Sequence, residues 1–429
     1  MLSSAGANTI SLTAAGQNVT GGTKDDTVQT NGLATLTGTI NLGGQTNADT
    51  LKVIGASVDI SGATLINIET LDVGNNLNVT LTVVQYNAFA TINAAGTNTF
   101  TFTDNGNLIA DADVETYVLS GAGPNTISLT VAGQNVTGGA DDDTVQTNGL
   151  ATLTGTINLG GQTNADTLKV TGASVDISGA NLVNIEQLDV GNNLNVTLTA
   201  AQLAAFAKFV GTGTNTVTVT TQATGVNALV VDQTVLFSRS VFETFVLQSN
   251  ANDTATFTLK NVSTISHTID ITAGGADTIT LNNVSIDGGT GVVTVVGFGA
   301  DDQIGSKVNG TSIVTGAYVN ADAGNKITGQ ASGNVIEIHS LGANGVQVAA
   351  PTNPLSLLAA LNQVLVNGGS GADIADGDYT VIAYNGNNGY VYQVNIAGGD
   401  GTGGGDDTVE LIGILQNVGA DTLTAANFV

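Results

Sequence analysis

The chain has no cysteine and no tryptophan, a single methionine at Met1, three prolines, and histidine only at His267 and His339. Without cysteine there is no disulfide, zinc–thiolate site or iron–sulfur cluster. Three prolines exclude a collagen-like chain despite 57 glycines. Basic residues are scarce as well. Eight Lys and Arg face 35 Asp and Glu, a formal net charge of −27, and Arg239 is the one arginine. Nucleic acid and anionic membrane surfaces both recruit positive charge, so neither is expected as a partner. No apolar run reaches the ~18 residues of a membrane-spanning helix, so no membrane insertion is expected. The start, Met1-Leu2-Ser3-Ser4, has neither the basic nor the apolar segment of a secretory leader. That leaves a protein kept inside, a fragment, or export that reads another segment.

What is present is apolar and repetitive. Hydrophobic residues make up 41% of the chain and charged ones only 10%, which is not the balance of a disordered polypeptide. Residues Asn8–Thr82 recur as Asn125–Thr199 with 68 identities in 75 positions, and Lys24 against Asp141 is the one change of charge. Tandem copies serve an array or lattice better than a catalytic site. A fainter echo, Glu115-Thr116-Tyr117 and Glu243-Thr244-Phe245, divides the chain into unit one (1–112), unit two (113–240), a diverged unit three (241–350) and a C-terminal region (351–429).

Short alternating stretches such as Thr27–Thr30, Thr39–Leu42, Thr50–Val53, Ser57–Ile60 and Asn78–Thr82 are separated by Gly, Asn and Asp. Thr, Val and Ile suit a pleated surface, and Gly or Asn the turns between. The pattern predicts an all-β fold. Few aromatics and many aliphatics favour a β-solenoid of narrow coils, with tandem β-sandwich domains as the alternative. Three helical pieces interrupt it. Thr82-Val83-Val84-Gln85 and Thr199-Ala200-Ala201-Gln202 match the capping box. The second is expected to run through Leu203–Phe209 and stop at Gly211. The third starts at Asn353-Pro354 and ends at Asn367-Gly368.

Acidic residues cluster beside glycines: Asp25 and Asp26 after Gly21-Gly22, Asp142 and Asp143 after Gly138-Gly139, Asp277 after Gly274-Gly275, and Asp301 and Asp302 after Gly299. Asp373, Asp406 and Asp407 complete the set. Glycine lets the backbone turn tightly, and Asp supplies a hard anionic oxygen. Ca²⁺ takes about six to eight such oxygens in flexible geometry, so these ten residues are the candidate metal ligands. The same clusters also read as plain Gly-Asp turns.

The clusters resemble the G-G-x-G-x-D-x-U-x nonapeptide of calcium-binding RTX repeat proteins, whose sixth-place Asp falls here on Asp26, Asp143, Asp277, Asp301, Asp373 and Asp407. Lys24 and Asp141 stand where the family has glycine, and the motifs occur singly instead of in consecutive runs. The Ile-Glu-Thr-Leu-Asp-Val segments are similar to strands of bacterial surface-layer proteins, and the end, Asp406–Val429, to the uncleaved C-terminal signal of type I secretion. The resemblance implies a β-roll-like solenoid, calcium as ligand, an extracellular, cell-surface location and self-assembly.

Enzyme signatures are missing: there is no H-E-x-x-H, no G-x-S-x-G and no phosphate-binding loop. His267 and His339 read as ordinary strand residues. The expectation is therefore a non-enzymatic structural protein whose partner is itself, in a surface layer or filament ordered by calcium. A calcium-dependent adhesin that binds a cell-surface glycan is the second reading. Ice binding by the Thr-x-Thr pairs is a minor third.

Overall fold

In the computed structural model the described residues are 2, 6–44, 48–161, 165–220, 228–232, 241–248, 252–259, 267–283, 292–308, 311–314, 318–321, 333–338, 377–396, 408–420 and 422–429. They form two compact units, Met1–Val196 with Ala205–Gly211 and Thr197–Ala204 with Thr212–Val429. This division does not follow the sequence copies. The strand Asn107–Ile109 precedes the second copy and pairs with that copy's first strand, Thr126–Ser128, inside one unit.

The first unit is a parallel β-solenoid. Its coils, 18 to 23 residues long where Thr9, Thr27, Thr50, Thr70 and Thr91 mark them, stack in register, so those five threonines form one column. Ile10, Val28, Leu51, Leu71 and Ile92 form the next column, and Val28, Leu51 and Leu71 have no exposed surface. The alternation explains the fold. Successive strand residues point to opposite faces, so Thr faces solvent and the aliphatic residue faces the lumen. The second copy repeats this through Thr126–Ser128, Thr144–Gln146, Thr167–Val170 and Gln187–Val190, all parallel. Parallel pairing throughout the unit excludes the tandem-sandwich alternative, which needs antiparallel sheets. A buried Val or Leu contributes about 1.5–3 kcal/mol, and each coil buries only a handful. A coil is therefore stable only on its neighbours.

The corners repeat between copies. Asn31, Asn67 and Asn76 take the left-handed conformation, and so do their counterparts Asn148, Asn184 and Asn193. Asparagine tolerates this better than any other side-chain-bearing residue. At Gly38 and Gly155 the requirement is closeness: an added Cβ would overlap the backbone oxygen of Gln17 or Gln134 in the preceding coil.

A short helix, Val83–Ala88, starts at Thr82 with both capping-box bonds present. It places Tyr86 in the interior against Phe100, Phe102 and Tyr117. The second helix is shorter than expected. It spans Ala200–Ala205, and Lys208–Gly211 is a strand paired with Gln187–Val190, because Phe209 is buried in register with Leu188. The third expected helix, at 353–368, lies outside the described residues.

The second unit begins in the same style. Thr216–Thr220, Thr244–Gln248, His267–Asp270 and Val293–Val296 form one parallel stack, and Ala228–Asp232, Thr254–Leu259, Thr278–Asn283 and Gln303–Val308 another. It ends differently. Thr408–Leu415 adds in parallel to Val293–Val296, then Asn388–Ile396 and Gly377–Asn385 continue antiparallel, nine-residue strands on a tight turn at Asn385–Asn388. Val335–Ile338 and Tyr318–Ala321 complete this sheet in parallel. Tyr379, Tyr392, Val381, Val394 and Leu411 form its core.

Two substitutions separate the local elements. Thr82→Ala removes a cap and should cost about 1 kcal/mol. Gly155→Ala forces two coils apart and should cost more, with a lower urea midpoint reading both.

Candidate functional site

Every parallel strand needs its first backbone groups satisfied where the chain turns into it. Along one stack of strands in each copy a carboxylate from the next coil does it, while Asn and Ser side chains serve other strands. The Asn8 N–H donates to Asp26 Oδ1 (2.9 Å), the Asp26 N–H to Asp49 Oδ1 (2.7 Å), and the Asp49 N–H to Glu69 Oε2 (3.0 Å). The return bond is made by backbone: Thr27, Thr50 and Thr70 donate to the carbonyls of Asn8, Asp26 and Asp49. Each rung is thus tied to the next coil twice. The second copy reproduces the ladder as Asn125, Asp143, Asp166 and Glu186, at 2.9, 2.7 and 3.1 Å. The second unit builds another from Asp253, Asp277 and Asp302, at 2.8 and 2.9 Å. Shorter versions join Asn98 to Glu115 and Asn215 to Glu243, both at 2.7 Å.

The glycines next to these acids belong to the same network. Asp26 Oδ2 accepts from the Gly22 N–H, Asp143 Oδ2 from Gly139 (both 2.8 Å), and Asp302 Oδ2 from Gly299 (2.7 Å). The asparagine that opens each copy also gives its side-chain amide, Asn8 Nδ2 to Asp26 Oδ1 at 2.8 Å and Asn125 Nδ2 to Asp143 Oδ1 at 2.9 Å. Asp302 is closed from the far end of the chain, where Asn427 Nδ2 donates to its backbone oxygen (2.7 Å).

The ten expected metal ligands therefore divide. Asp26, Asp143, Asp277 and Asp302 are buried rungs. Asp25, Asp142 and Asp301 are exposed. Asp25 and Asp142 accept the N–H of Ala48 and Ala165 in the next coil (3.3 and 3.0 Å), a task that uncharged Asn252 performs for Ala276 (3.0 Å). Asp373, Asp406 and Asp407 lie outside the described residues. Among the described residues no three Asp, Glu or His side chains are grouped to hold a metal ion. The buried rungs do not fit calcium. Both oxygens of Asp26, Asp143 and Asp302 face N–H hydrogens, whose partial positive charge repels a cation, and a coil presents one such carboxylate instead of the six or more oxygens Ca²⁺ takes.

The rungs differ in electrostatics. Burial pushes the Asp26 carboxyl up, but the Asn8 amide and the Gly22 and Asn8 N–H groups outweigh it and hold Asp26 below the usual range. Burial raises Asp49, with one opposing bond from Asp26 and reinforcement from the charges of Glu69, Asp26 and Asp25. Asp166 and Asp277 are pushed up to about 6, again mainly by burial. On the outer face Lys52 pairs with Asp72 (2.5 Å) and Lys169 with Asp189 (2.7 Å) at matching positions of the copies. These pairs are partly exposed, so each adds little stability. His267 is buried, its Nδ1 3.1 Å from the Phe242 carbonyl oxygen, and burial lowers its pKa. His339 lies outside the described residues.

Asp49, Asp166, Asp253, Glu69 and Glu186 are ladder members that a search for Gly-Asp turns misses. The signal that finds them is a polar acceptor, then usually threonine, then an apolar residue: Asp26-Thr27-Val28, Asp49-Thr50-Leu51, Glu69-Thr70-Leu71, Asp277-Thr278-Ile279. Comparison with family models, curated proteins and solved structures finds no match to this chain. Fold and site together define a class, a parallel β-solenoid knitted by buried carboxylates.

Asp143→Ala leaves two backbone N–H donors, of Asn125 and Gly139, without their acceptor, while the Asn125 side-chain amide keeps the Ser120 and Gly123 carbonyls. At about 1–3 kcal/mol for a buried unsatisfied group, a loss of at least ~2 kcal/mol is expected. Asp142→Asn should stay within about 0.5 kcal/mol of the parent, as a surface change that keeps its acceptor. Urea denaturation of both variants checks the contrast.

Proposed function

We propose that this chain is a non-enzymatic structural protein, exported by type I secretion, that assembles with further copies of itself into an extracellular surface layer or filament. The observation that carries the reading is the sameness of the two copies. Rungs, left-handed asparagines, glycine corners and the Lys–Asp pair all recur, so the duplication repeats a building block. A net charge of −27 keeps separate copies apart in solution. Calcium has no place in the ladder on this reading. Any calcium dependence of assembly belongs to exposed carboxylates such as Asp25, Asp142 and Asp301, where it screens repulsion between copies.

The adhesin reading draws on a different observation. The antiparallel sheet around Gly377–Asn385 and Asn388–Ile396 is unlike the repeats, and a glycan-binding module would be distinct from its stalk.

Negative-stain microscopy of the purified chain, with calcium and with chelator, separates the readings. Ordered polymers in calcium support the structural protein. Monomers under every condition, with retention on a glycan array, support the adhesin. Circular dichroism in the same buffers should be unchanged by chelator, because the strand-opening N–H groups of the ladder find their acceptors without metal.

A further inference from the structure

In each duplicated ladder one rung is incomplete. Asp49 and Asp166 occupy the same place in the two copies, and both are fully buried. Oδ1 of each receives the N–H of the preceding rung, Asp26 or Asp143, at 2.7 Å. Oδ2 of each has no hydrogen-bond partner and no contact with solvent. The neighbours do not compensate. Asp49 stands between Asp26 and Glu69, with Asp25 on the adjoining turn, and Asp166 between Asp143 and Glu186, with Asp142 on the adjoining turn. The nearest lysine along each following strand, Lys52 or Lys169, is paired on the outer face with Asp72 or Asp189. The turn before the preceding rung, Asp26 or Asp143, carries Lys24 in the first copy and Asp141 in the second, both exposed. A buried anionic oxygen with no donor, among three other carboxylates, is costly. A proton on it removes the charge.

We propose that in mild acid the folded chain holds Asp49 and Asp166 as neutral carboxylic acids, each with its proton on Oδ2, so that the coils they join are locked more firmly there than at neutral or alkaline pH. The carboxyl of Asp166 is raised to about 6 and that of Asp49 is raised too. The folded chain therefore keeps protons that the unfolded chain has released. Where the folded state binds more protons, stability falls as pH rises. The window runs from the ordinary carboxyl value near 3.8 up through about 6. Asp277, also raised to about 6, acts in the same direction. Asp26 is lowered and acts oppositely, but only below the ordinary value, where its protonation breaks bonds to Asn8 and Gly22. Stability then peaks in mild acid and declines on both sides.

The test is thermal unfolding of the full chain between pH 4.5 and 8, for the parent and for Asp49→Asn with Asp166→Asn. Asparagine keeps the Oδ1 acceptor and imitates the neutral acid, so the double variant should fold. The parent midpoint should rise by several degrees, ~5 °C, from pH 7.5 to 5, given the usual ~2–4 °C shift per kcal/mol for a unit of this size. The variant should start at or above the parent at pH 7.5 and lose most of that rise, Asp277 keeping the rest. A flat parent profile, or an undiminished rise in the variant, overturns the proposal. A carbon-13 titration of the Asp166 carboxyl is a second readout independent of any variant. A midpoint near 6 supports the proposal and one below 4 overturns it.

Discussion

The rest of the structure depends on one hydrogen bond, from a backbone N–H at the start of a strand to a carboxylate one coil further along. A parallel solenoid has no hairpins, so nothing local fixes how each coil sits on the last. Hydrophobic contact is non-directional and leaves coils free to slide. The acid supplies direction. It reaches the strand-opening N–H of the preceding coil, at one height and one position along the strand, and the following threonine returns a bond to the same residue. Register, strand starts and the placing of the lumen residues all follow from that double tie.

The same bond explains why an acidic chain builds a buried core from some of its acids. A buried carboxylate is tolerated when N–H donors surround it. Asp26 and Asp143 meet this condition with three donors each, and glycine at Gly22 and Gly139 lets the turn present one of them. Asp49 and Asp166 meet it only in part, with one donor each. The ladder thus contains rungs of two kinds, anions held by donors and acids that shed their charge, and the difference lies in what surrounds each rung.

Much of the fold was legible in the sequence. Alternating Thr and aliphatic residues, asparagine turns and the capping boxes at Thr82 and Thr199 identify short strands, narrow coils and two brief helices, because each depends on nearest neighbours. The limit of the second helix was not legible. Leu203–Phe209 has helical propensity, but Phe209 is claimed by a strand whose partner, Leu188, lies 21 residues away. The acids show the same boundary. Gly-Asp turns suggest cation ligands when read as isolated motifs, since carboxylate oxygens and flexible backbone are what a cation needs. At Asp26 and Asp143 one oxygen takes the N–H of the nearby Gly22 or Gly139, and the other takes that of Asn8 or Asn125, 18 residues off in the neighbouring coil. The ladder could have been found from the recurring acid-Thr-apolar triplet, which spans turns with glycine and turns without.

The interchangeability of the rungs bears on how such a chain evolves. Asp143 stands to Asn125 and Asp166 as Asp26 stands to Asn8 and Asp49, so a whole block of coils can be copied between two rungs and find its bonds waiting. Gene segments of this kind recombine unequally without creating a misfit at the junction. Length becomes a heritable variable that changes in steps of complete blocks, and a lineage can tune the reach of the molecule by counting blocks while its local chemistry stays fixed.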